Sequence, residues 1–311
     1  MKRYIVLLIA LLALCCILTG CFTVIPGQPQ NNPTDPKNTT EGSTETDPPV
    51  GWVKEAAQTF YINEDGTRHT GWLELDGTRY YLDSNGVLQT GWLELEGSTY
   101  YLKNDGSITR GKATISSRTY YFTSTGEKIM VANPWNMIPA DHTLDLQEVE
   151  GGMKVDALCR DALAEMLADC RKAGHGVQII SAYRSNDTQK MLYSNKVNYY
   201  LDRGYDKVAA AKEAATVVAM PGTSEHELGL AVDLVDTDYP YLDEAQENTD
   251  TQKWLMANCR KYGFILRYPN DKSSKTGIIY EPWHYRYVGT ALAEELYTKG
   301  LCLEEYLANL H

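Results

Sequence analysis

A motif that recurs every 20 residues constrains the fold of residues 51–132 more than any other feature of this chain. At this spacing a glycine precedes tryptophan three times and lysine once: Gly51-Trp52, Gly71-Trp72, Gly91-Trp92 and Gly111-Lys112. An aromatic pair follows nine residues after each glycine, and an Asp-Gly, Asn-Gly or Thr-Gly dipeptide comes next. Short aromatic strands separated by such dipeptides predict β-hairpins. Because one hairpin buries little apolar surface alone, we expect the hairpins to stack into a solenoid.

These repeats resemble the choline-binding and glucan-binding repeats of cell-wall proteins, in which tryptophan and tyrosine form cages for a quaternary ammonium or a sugar face. The physical basis is general, since aromatic faces attract cations. The same side chains can be the packed core of the solenoid, and we expect both roles. The candidates for contact with a choline-bearing teichoic acid or a wall glycan are Trp52, Trp72, Trp92, Tyr81 and Tyr101.

Residues 1–21 have the pattern of an export signal. Lys2 and Arg3 precede an apolar run that is shorter than the roughly 20 residues of a membrane-spanning helix, which favours a cleaved signal. The run ends in Leu18-Thr19-Gly20-Cys21, which resembles the bacterial lipobox. We therefore expect lipidation of Cys21 and a membrane anchor on the extracellular face of the cell. The alternative is an ordinary signal peptide in which Cys21 is incidental.

Residues 22–50 are rich in proline, threonine and asparagine. Between Pro26 and Pro49 there is no aliphatic or aromatic residue, so this segment cannot bury a core and we expect a disordered spacer. The formal net charge of the whole chain is −12, and no long basic run is present, which argues against nucleic acid as a partner.

The cysteines beyond the signal region give no indication of a metal site. These cysteines are Cys159, Cys170, Cys259 and Cys302, and their spacing contains no C-x-x-C motif. Cys159 and Cys170 lie on one predicted helix about 16 Å apart, too far for a disulfide between them. In an exported protein a bridge from one of them to Cys259 or Cys302 and four buried free thiols are equally good interpretations.

Residues 133–311 have the pattern of a globular α+β domain. Apolar residues at i, i+3 and i+4 spacing predict a helix that begins near Val155 and is ended by Gly174. Further helices are predicted at 186–203 (capped by Asn186-Asp187), 206–218 and 250–262, and strands at 177–180, 230–235, 264–268 and 278–288. Helices that come first, followed by strands interleaved with one long helix, favour an α+β fold over a regular βαβ alternation.

Two histidines and two acids in this domain have the composition of a hydrolytic metal site. His226 and Asp233 are seven positions apart with Gly229 between them, and Glu281 precedes His284 by three. Catalytic zinc is held by three protein ligands and keeps one open position, so His226, Asp233 and His284 are the candidate ligands of one Zn²⁺ ion. Glu281 is the candidate general base, because a carboxylate beside zinc can take a proton from water and pass it to the leaving amine.

The same residues carry a family resemblance over roughly residues 133–303. The motifs are Ser224-x-His226-x-x-Gly229-x-Ala231-x-Asp233, Glu281-x-x-His284 and Ser181-x-Tyr183-Arg184-Ser185-x-x-x-Gln189. They resemble those of the VanY-type zinc D-alanyl-D-alanine carboxypeptidases, which implies the Hedgehog/DD-peptidase fold, a small antiparallel sheet flanked by helices. The resemblance also implies that Arg184 faces the substrate and its developing oxyanion. It further implies that Ser224 and Gln189 hold the peptide end, and that Tyr183 lines the pocket or packs beside it.

These features together predict a lipid-anchored, wall-bound zinc carboxypeptidase that removes the C-terminal D-alanine from peptidoglycan stem peptides. An L,D-carboxypeptidase acting on tetrapeptide stems is an alternative within the same fold. A non-catalytic wall-binding protein with a structural zinc is another, although a purely structural site needs no base such as Glu281. An adhesin whose repeats bind the main partner is a third.

Overall fold

A computed structural model of the protein describes residues 50–310. The signal segment 1–21, its Cys21, and all of the linker except Val50 lie outside the described residues. The described chain divides into two compact units, one made of residues 50–93 and 101–108 and the other of residues 94–100 and 109–310. Between residues 50 and 310, no helix has both the length and the apolar character needed to cross a membrane.

The repeats are β-hairpins, as their sequence predicts. Their strands are β1 (Gly51–Glu55), β2 (Gln58–Ile62), β3 (Gly71–Leu75), β4 (Thr78–Leu82), β5 (Gly91–Leu95), β6 (Ser98–Leu102), β7 (Gly111–Ile115), β8 (Arg118–Phe122) and β9 (Lys128–Ile129). Each odd-numbered strand through β7 pairs with the next strand, and β9 adds to β8. The tight turns lie at pairs such as Asp76-Gly77, both with positive φ, as a two-residue hairpin loop requires. The dipeptides Asp65-Gly66, Asn85-Gly86 and Asp105-Gly106, which the sequence suggested as the hairpin turns, instead lie between successive hairpins.

Backbone hydrogen bonds join successive repeats. The Leu88 nitrogen donates to the Thr59 carbonyl at 2.8 Å, and the Ile108 nitrogen donates to the Arg79 carbonyl at 2.9 Å. The connections after the second and third hairpins therefore bind to the second strand of the preceding hairpin.

The larger unit contains a four-stranded antiparallel sheet in the order β12-β13-β15-β14. The strands from β10 onward are β10 (Leu146–Glu148), β11 (Lys154–Asp156), β12 (Val177–Ser181), β13 (Ala231–Asp236), β14 (Phe264–Tyr268) and β15 (Glu281–Tyr287). The helices are α1 (Ala157–Lys172), α2 (Asn186–Leu201), α3 (Lys207–Val217), α4 (Asp250–Asn258), α5 (Ser273–Thr276), α6 (Thr290–Lys299) and α7 (Leu303–Ala308). This is the predicted α+β architecture.

Alternation along the strands separates the core from the polar face of the sheet. Val232, Leu234 and Tyr285 are buried in one apolar cluster with residues of α1 and with Leu255 of α4. Because successive side chains of a strand point to opposite faces, Asp233 and His284 lie on the other face. The cysteines Cys159, Cys170, Cys259 and Cys302 are all buried and free.

Three predicted boundaries need correction. Helix α2 is capped by Ser185, whose side chain accepts from the Thr188 nitrogen, and not by Asn186-Asp187. The helix after Asp250 ends at Asn258, and a 3-10 turn continues to Tyr262. The strand predicted to begin at residue 278 begins at Glu281, because the Ile279 nitrogen donates to the Thr216 carbonyl at 2.9 Å instead of joining the sheet.

Candidate active site

Two neighbouring strands and one short turn bring the candidate metal ligands together. Asp233 on β13 lies directly opposite His284 on β15. His226 lies on a 3-10 turn, Glu225–Leu228, which ends at Gly229 with φ of 68°. A Cβ at Gly229 would lie 2.9 Å from the Asp156 nitrogen, so this left-handed turn into β13 requires glycine.

The three side chains form a buried cluster that fits a single cation. One ligand atom from each of His226, Asp233 and His284 lies within 4.8 Å of the others. The His226 Nε2 is 3.3 Å from Asp233 Oδ2, and the His284 Nδ1 is 3.2 Å from Asp233 Oδ1. Asp233 Oδ1 is buried without a hydrogen-bond partner among residues 50–310. Two imidazoles and one carboxylate are a typical zinc donor set, and a cation would satisfy this oxygen.

The His226 ring nitrogen that faces away from the cluster holds the imidazole in its orientation. His226 Nδ1 lies 2.7 Å from the Ala182 carbonyl oxygen, an acceptor, so Nδ1 carries the proton and Nε2 presents its lone pair to the cluster. Burial lowers the pKa of His226 to about 4, which favours this neutral form. Burial also acts against the charged form of His284, but the carboxylates of Asp233 and Glu225 raise its pKa to about 9.

Glu281 is the first residue of β15 and lies beside the cluster. Its Oε2 is 3.6 Å from His284 Nδ1, and only 8% of the residue is exposed. Burial raises the pKa of Glu281 to about 8, with Asp233 adding to the shift and His284 opposing it. A carboxylate with a raised proton affinity can both accept a proton and return it.

Arg184 follows β12 and reaches the cluster from the other side. Its Nη2 donates to Asp233 Oδ2 at 2.6 Å and its Nε donates to Ser181 Oγ at 2.8 Å. The Arg184 side chain is 20% exposed, and it lines a cavity of about 450 Å³. The guanidinium thus contacts the metal cluster and also lines this cavity.

The other predicted site residues lie around this centre in different ways. Tyr183 lines the cavity beside Arg184. Ser224 is buried next to the turn that carries His226. Gln189 is fully buried in α2, where its Nε2 donates to the Ala219 carbonyl at 2.7 Å and its Oε1 has no hydrogen-bond partner among the described residues.

Glu225 was missed by the sequence reasoning. It is 1% exposed and its Oε2 lies 3.6 Å from His284 Nε2. Burial acts to raise the pKa of Glu225, but Arg267 and Arg286 hold it below its usual value. The sequence did contain a signal for a buried acid. Arg267 and Arg286 are charged residues within the apolar strands β14 and β15, and a buried arginine needs an acidic partner.

In the repeats, the candidate tryptophans pack edge-on against tyrosines. The centroids of Trp72 and Tyr81 are 5.1 Å apart, and those of Trp92 and Tyr101 are 5.0 Å apart. Trp52 contacts Tyr61 at 5.2 Å in its own hairpin and Tyr80 at 5.0 Å in the next. Each tryptophan therefore packs as part of the repeat structure, and Trp92 remains 44% exposed.

The face of Trp72 already carries a cation of this chain. The Arg79 guanidinium carbon lies 4.2 Å from the centroid of the Trp72 ring. The corresponding positions of the flanking repeats are threonines, Thr59 and Thr99.

Comparison with known proteins agrees with this geometry. The family model described as VanY, D-alanyl-D-alanine carboxypeptidase, matches residues 152–290. The model described as a putative cell wall binding repeat matches residues 70–88 and 90–108. A D-alanyl-D-alanine carboxypeptidase of Enterococcus faecalis is 40% identical over 179 residues, or 58% of this chain. The chain spans 65% of the length of that relative.

Two solved structures match the same domain. VanYB in complex with D-alanine-D-alanine is 39% identical, with a TM-score of 0.54, and the match covers 58% of this chain and 97% of that chain. A variant of the vancomycin resistance D,D-pentapeptidase VanY in complex with Zn(II) is 39% identical, with a TM-score of 0.53, over 57% of this chain and 97% of that chain. The protein with the buried His226, Asp233 and His284 cluster therefore belongs to the VanY family of D-alanyl-D-alanine carboxypeptidases.

Proposed function

We propose that this protein is a zinc carboxypeptidase that removes the C-terminal D-alanine from peptidoglycan stem peptides. The observation that carries the proposal is the buried His226, Asp233 and His284 cluster, with Glu281 on one side and Arg184 on the other. The bound D-alanine-D-alanine and Zn(II) of the two homologous structures support the substrate and the metal.

In this proposal His226 Nε2, an Asp233 carboxylate oxygen and His284 Nδ1 hold the ion. Bound zinc supplies a Lewis acid that polarises the scissile carbonyl and lowers the pKa of water toward neutrality. Glu281 takes the proton of the attacking water and delivers it to the nitrogen of the departing D-alanine, so the amide bond breaks without release of an unstable amide anion.

Arg184 stabilises negative charge on the substrate side of the cluster. Its fork of donors suits a carboxylate or the oxygen that becomes charged during attack. Since Ser181 and Asp233 already hold two of its nitrogens, the remaining donors are fixed in direction before the peptide arrives. Ser224, Gln189 and Tyr183 complete the proposed peptide-binding residues.

Mass-spectrometric product analysis tests the function. The protein is given a stem pentapeptide ending in D-alanyl-D-alanine and a tetrapeptide, each with and without a chelator. We expect loss of one D-alanine from the pentapeptide, prevented by the chelator. Release unaffected by the chelator would contradict the zinc mechanism. Cleavage of the tetrapeptide alone would identify an L,D-carboxypeptidase, and no cleavage of either peptide would favour a wall-binding protein with a structural zinc.

Arg184→Lys should lower kcat/KM for the pentapeptide by about 10²–10³-fold while zinc stays bound. Lysine keeps the charge but cannot contact Ser181 and Asp233 through a planar fork. Steady-state kinetics and zinc content measure the two effects. Arg203→Lys, at an arginine that stacks on Tyr199, is the matched control and should leave both unchanged. A rate within threefold of the wild type in Arg184→Lys would contradict the proposed role.

The repeats are proposed to bind a choline-bearing teichoic acid or a wall glycan through Trp52, Trp72, Trp92, Tyr81 and Tyr101. The match of residues 70–88 and 90–108 to a putative cell wall binding repeat supports this assignment. Residues 51–132 would form the wall-binding region and residues 133–311 the catalytic domain. The lipobox-like sequence at Cys21 supports a lipid anchor that would hold the protein at the extracellular face of the membrane. Co-sedimentation with purified walls and mass analysis of the mature N-terminus test these two attachments.

Arg79→Thr should increase the affinity of the repeats for choline severalfold. The Arg79 guanidinium lies over the ring face of Trp72, where an ammonium ligand would bind, so the two cations compete. Titration with choline, followed by tryptophan fluorescence, measures the change. The double variant Arg79→Thr, Trp72→Phe is the control and should lose most of the gain. Equal affinity of Arg79→Thr and the wild type would show that Arg79 does not limit binding at Trp72.

A further inference from the structure

Glu225 occupies a position between the candidate metal cluster and a buried group of arginines. Its Oε1 accepts from Arg267 Nε at 2.7 Å and lies 3.0 Å from Arg286 Nη1. Its Oε2 faces His284 Nε2 at 3.6 Å. Glu304 contacts the other end of Arg267, at 2.5 Å from Nη2 and 2.9 Å from Nη1. One carboxylate therefore touches both the arginines and a candidate zinc ligand, while the other contacts Arg267 and the Asn133 amide.

Two buried polar atoms in this arrangement satisfy each other only if His284 carries a proton on one particular nitrogen. Among residues 50–310, neither His284 Nε2 nor Glu225 Oε2 has a hydrogen-bond partner, and both atoms are buried. His284 Nδ1 points the opposite way, toward Asp233 at 3.2 Å and Glu281 at 3.6 Å. A metal that takes the Nδ1 lone pair leaves the proton of a neutral imidazole on Nε2. A modest shortening of the 3.6 Å separation would then give an Nε2–H donor a carboxylate acceptor.

The arginines explain why this carboxylate stays in place. A buried carboxylate needs compensating charge, and Arg267 and Arg286, each no more than 1% exposed, supply it. Both arginines lie on strands β14 and β15 of the sheet that carries His284, so the position of Glu225 is fixed by rigid elements. His226 differs in this respect, since its Nδ1–H donates to a neutral backbone carbonyl.

We propose that Glu225 is a positioning residue for the metal site, which accepts the Nε2–H of His284 and so presents Nδ1 to zinc. The proposal rests on the zinc site of the proposed function. The carboxylate holds the ring orientation and raises the basicity of the ligand nitrogen, whereas Arg267 and Arg286 hold the carboxylate. Glu225 touches neither substrate nor metal in this role.

Zinc affinity separates this role from a purely structural one. Glu225→Gln keeps the shape of the side chain but removes the charged acceptor, and we expect the zinc dissociation constant to rise by about 10–100-fold. Glu304→Gln is the matched control, because it removes the second carboxylate from Arg267 without any contact to His284. Competition with a chromophoric chelator gives both affinities without measuring turnover, and thermal unfolding reports the stability of each variant.

The expected result is weakened zinc binding in Glu225→Gln and near wild-type affinity in Glu304→Gln. Equal affinities in Glu225→Gln and the wild type, or equal losses in both variants, would overturn the role of Glu225 but leave the proposed function standing. A wild-type chain that binds no zinc would overturn both.

A measurement on the wild type keeps the proposal testable if Glu225→Gln does not fold. The chain with ¹⁵N-labelled histidine is compared by NMR before and after zinc addition. We expect two ring N–H protons to become protected from exchange, one on the Nδ1 of a histidine and one, farther downfield, on the Nε2 of another. Protection of an Nδ1–H alone would show that His284 does not donate to Glu225 and would overturn the proposal.

Discussion

Replacing Glu281 by glutamine should lower kcat for D-alanine release from a pentapeptide by about 10²–10⁴-fold while leaving zinc bound. The amide has nearly the shape of the carboxylate but cannot accept the proton of the attacking water. Glu281 Oε2 lies 3.6 Å from His284 Nδ1, which places it beside the metal cluster without making it one of the three closest ligand atoms. Single-turnover kinetics and zinc content of the purified variant measure the two expectations.

Glu247→Gln is the matched control for this change. Glu247 accepts a hydrogen bond from the hydroxyl of Tyr280, the residue before Glu281, at 2.9 Å. Its replacement tests whether any loss of charge near the start of β15 slows the reaction, and we expect kcat to stay within twofold of the wild type. Loss of zinc together with activity in Glu281→Gln would show that Glu281 is a ligand, and would contradict its assignment as the base.

The strands that carry the site could be predicted because their signals are local. Short apolar runs and the glycines at positions 229 and 263 mark where β13 and β14 begin, and both strands begin within one residue of the predicted position. The juxtaposition of His226 and Asp233 also follows locally, since Gly229 turns the chain from one to the other. Sequence spacing could not predict the pairing of β13 with β15. This pairing sets Asp233 opposite His284, although the two residues are 51 positions apart in the sequence. Here the motif resemblance supplied what periodicity could not.

The buried charges were the part that sequence reasoning could not resolve. Arg267 and Arg286 are recognisable as charges within apolar strands, but nothing local says which acid neutralises them. Glu225 and Glu304 meet Arg267 only after the chain has folded, because they lie 42 and 37 positions away along the sequence. Long-range ion pairs of this kind depend on tertiary packing, whereas helix and strand patterns depend on neighbours in sequence.

The repeats show the same division between local and tertiary information. Their period and aromatic pairs correctly predict hairpins, because strand and turn preferences act within a few residues. The position of the tight turn was predicted wrongly, because the strands of one hairpin are not separated by Asp65-Gly66 or its equivalents, which lie between hairpins. In the structure, Asp76-Gly77 forms the loop of the second hairpin, and Trp72 pairs with Tyr81 across its two strands.

Replacing Asp233 by asparagine should weaken zinc binding more than Glu225→Gln does. We expect the zinc affinity to fall by more than the roughly 10–100-fold that the loss of a residue supporting a ligand costs. Asp233 is the central carboxylate of the cluster, since its oxygens lie 3.3 Å from His226, 3.2 Å from His284 and 2.6 Å from Arg184. An asparagine offers one neutral oxygen in place of an anion, so it gives zinc a weaker ligand and leaves the Arg184 charge less compensated in a buried site. We expect activity to disappear at limiting zinc and to return only in part at high zinc.

The control for this change is Asp236→Asn, three residues farther along β13, where the carboxylate accepts from the Thr251 hydroxyl at 2.6 Å. It removes an equal charge from the same strand, and zinc affinity should stay near that of the wild type even if the protein loses some stability. Zinc titration in the presence of a chelator, with a parallel melting curve, separates the two outcomes. Unchanged affinity in Asp233→Asn would mean that the histidines hold zinc without this carboxylate. Its place opposite His284 would then serve to orient Arg184, and the catalytic geometry would have to be assigned to a two-histidine site.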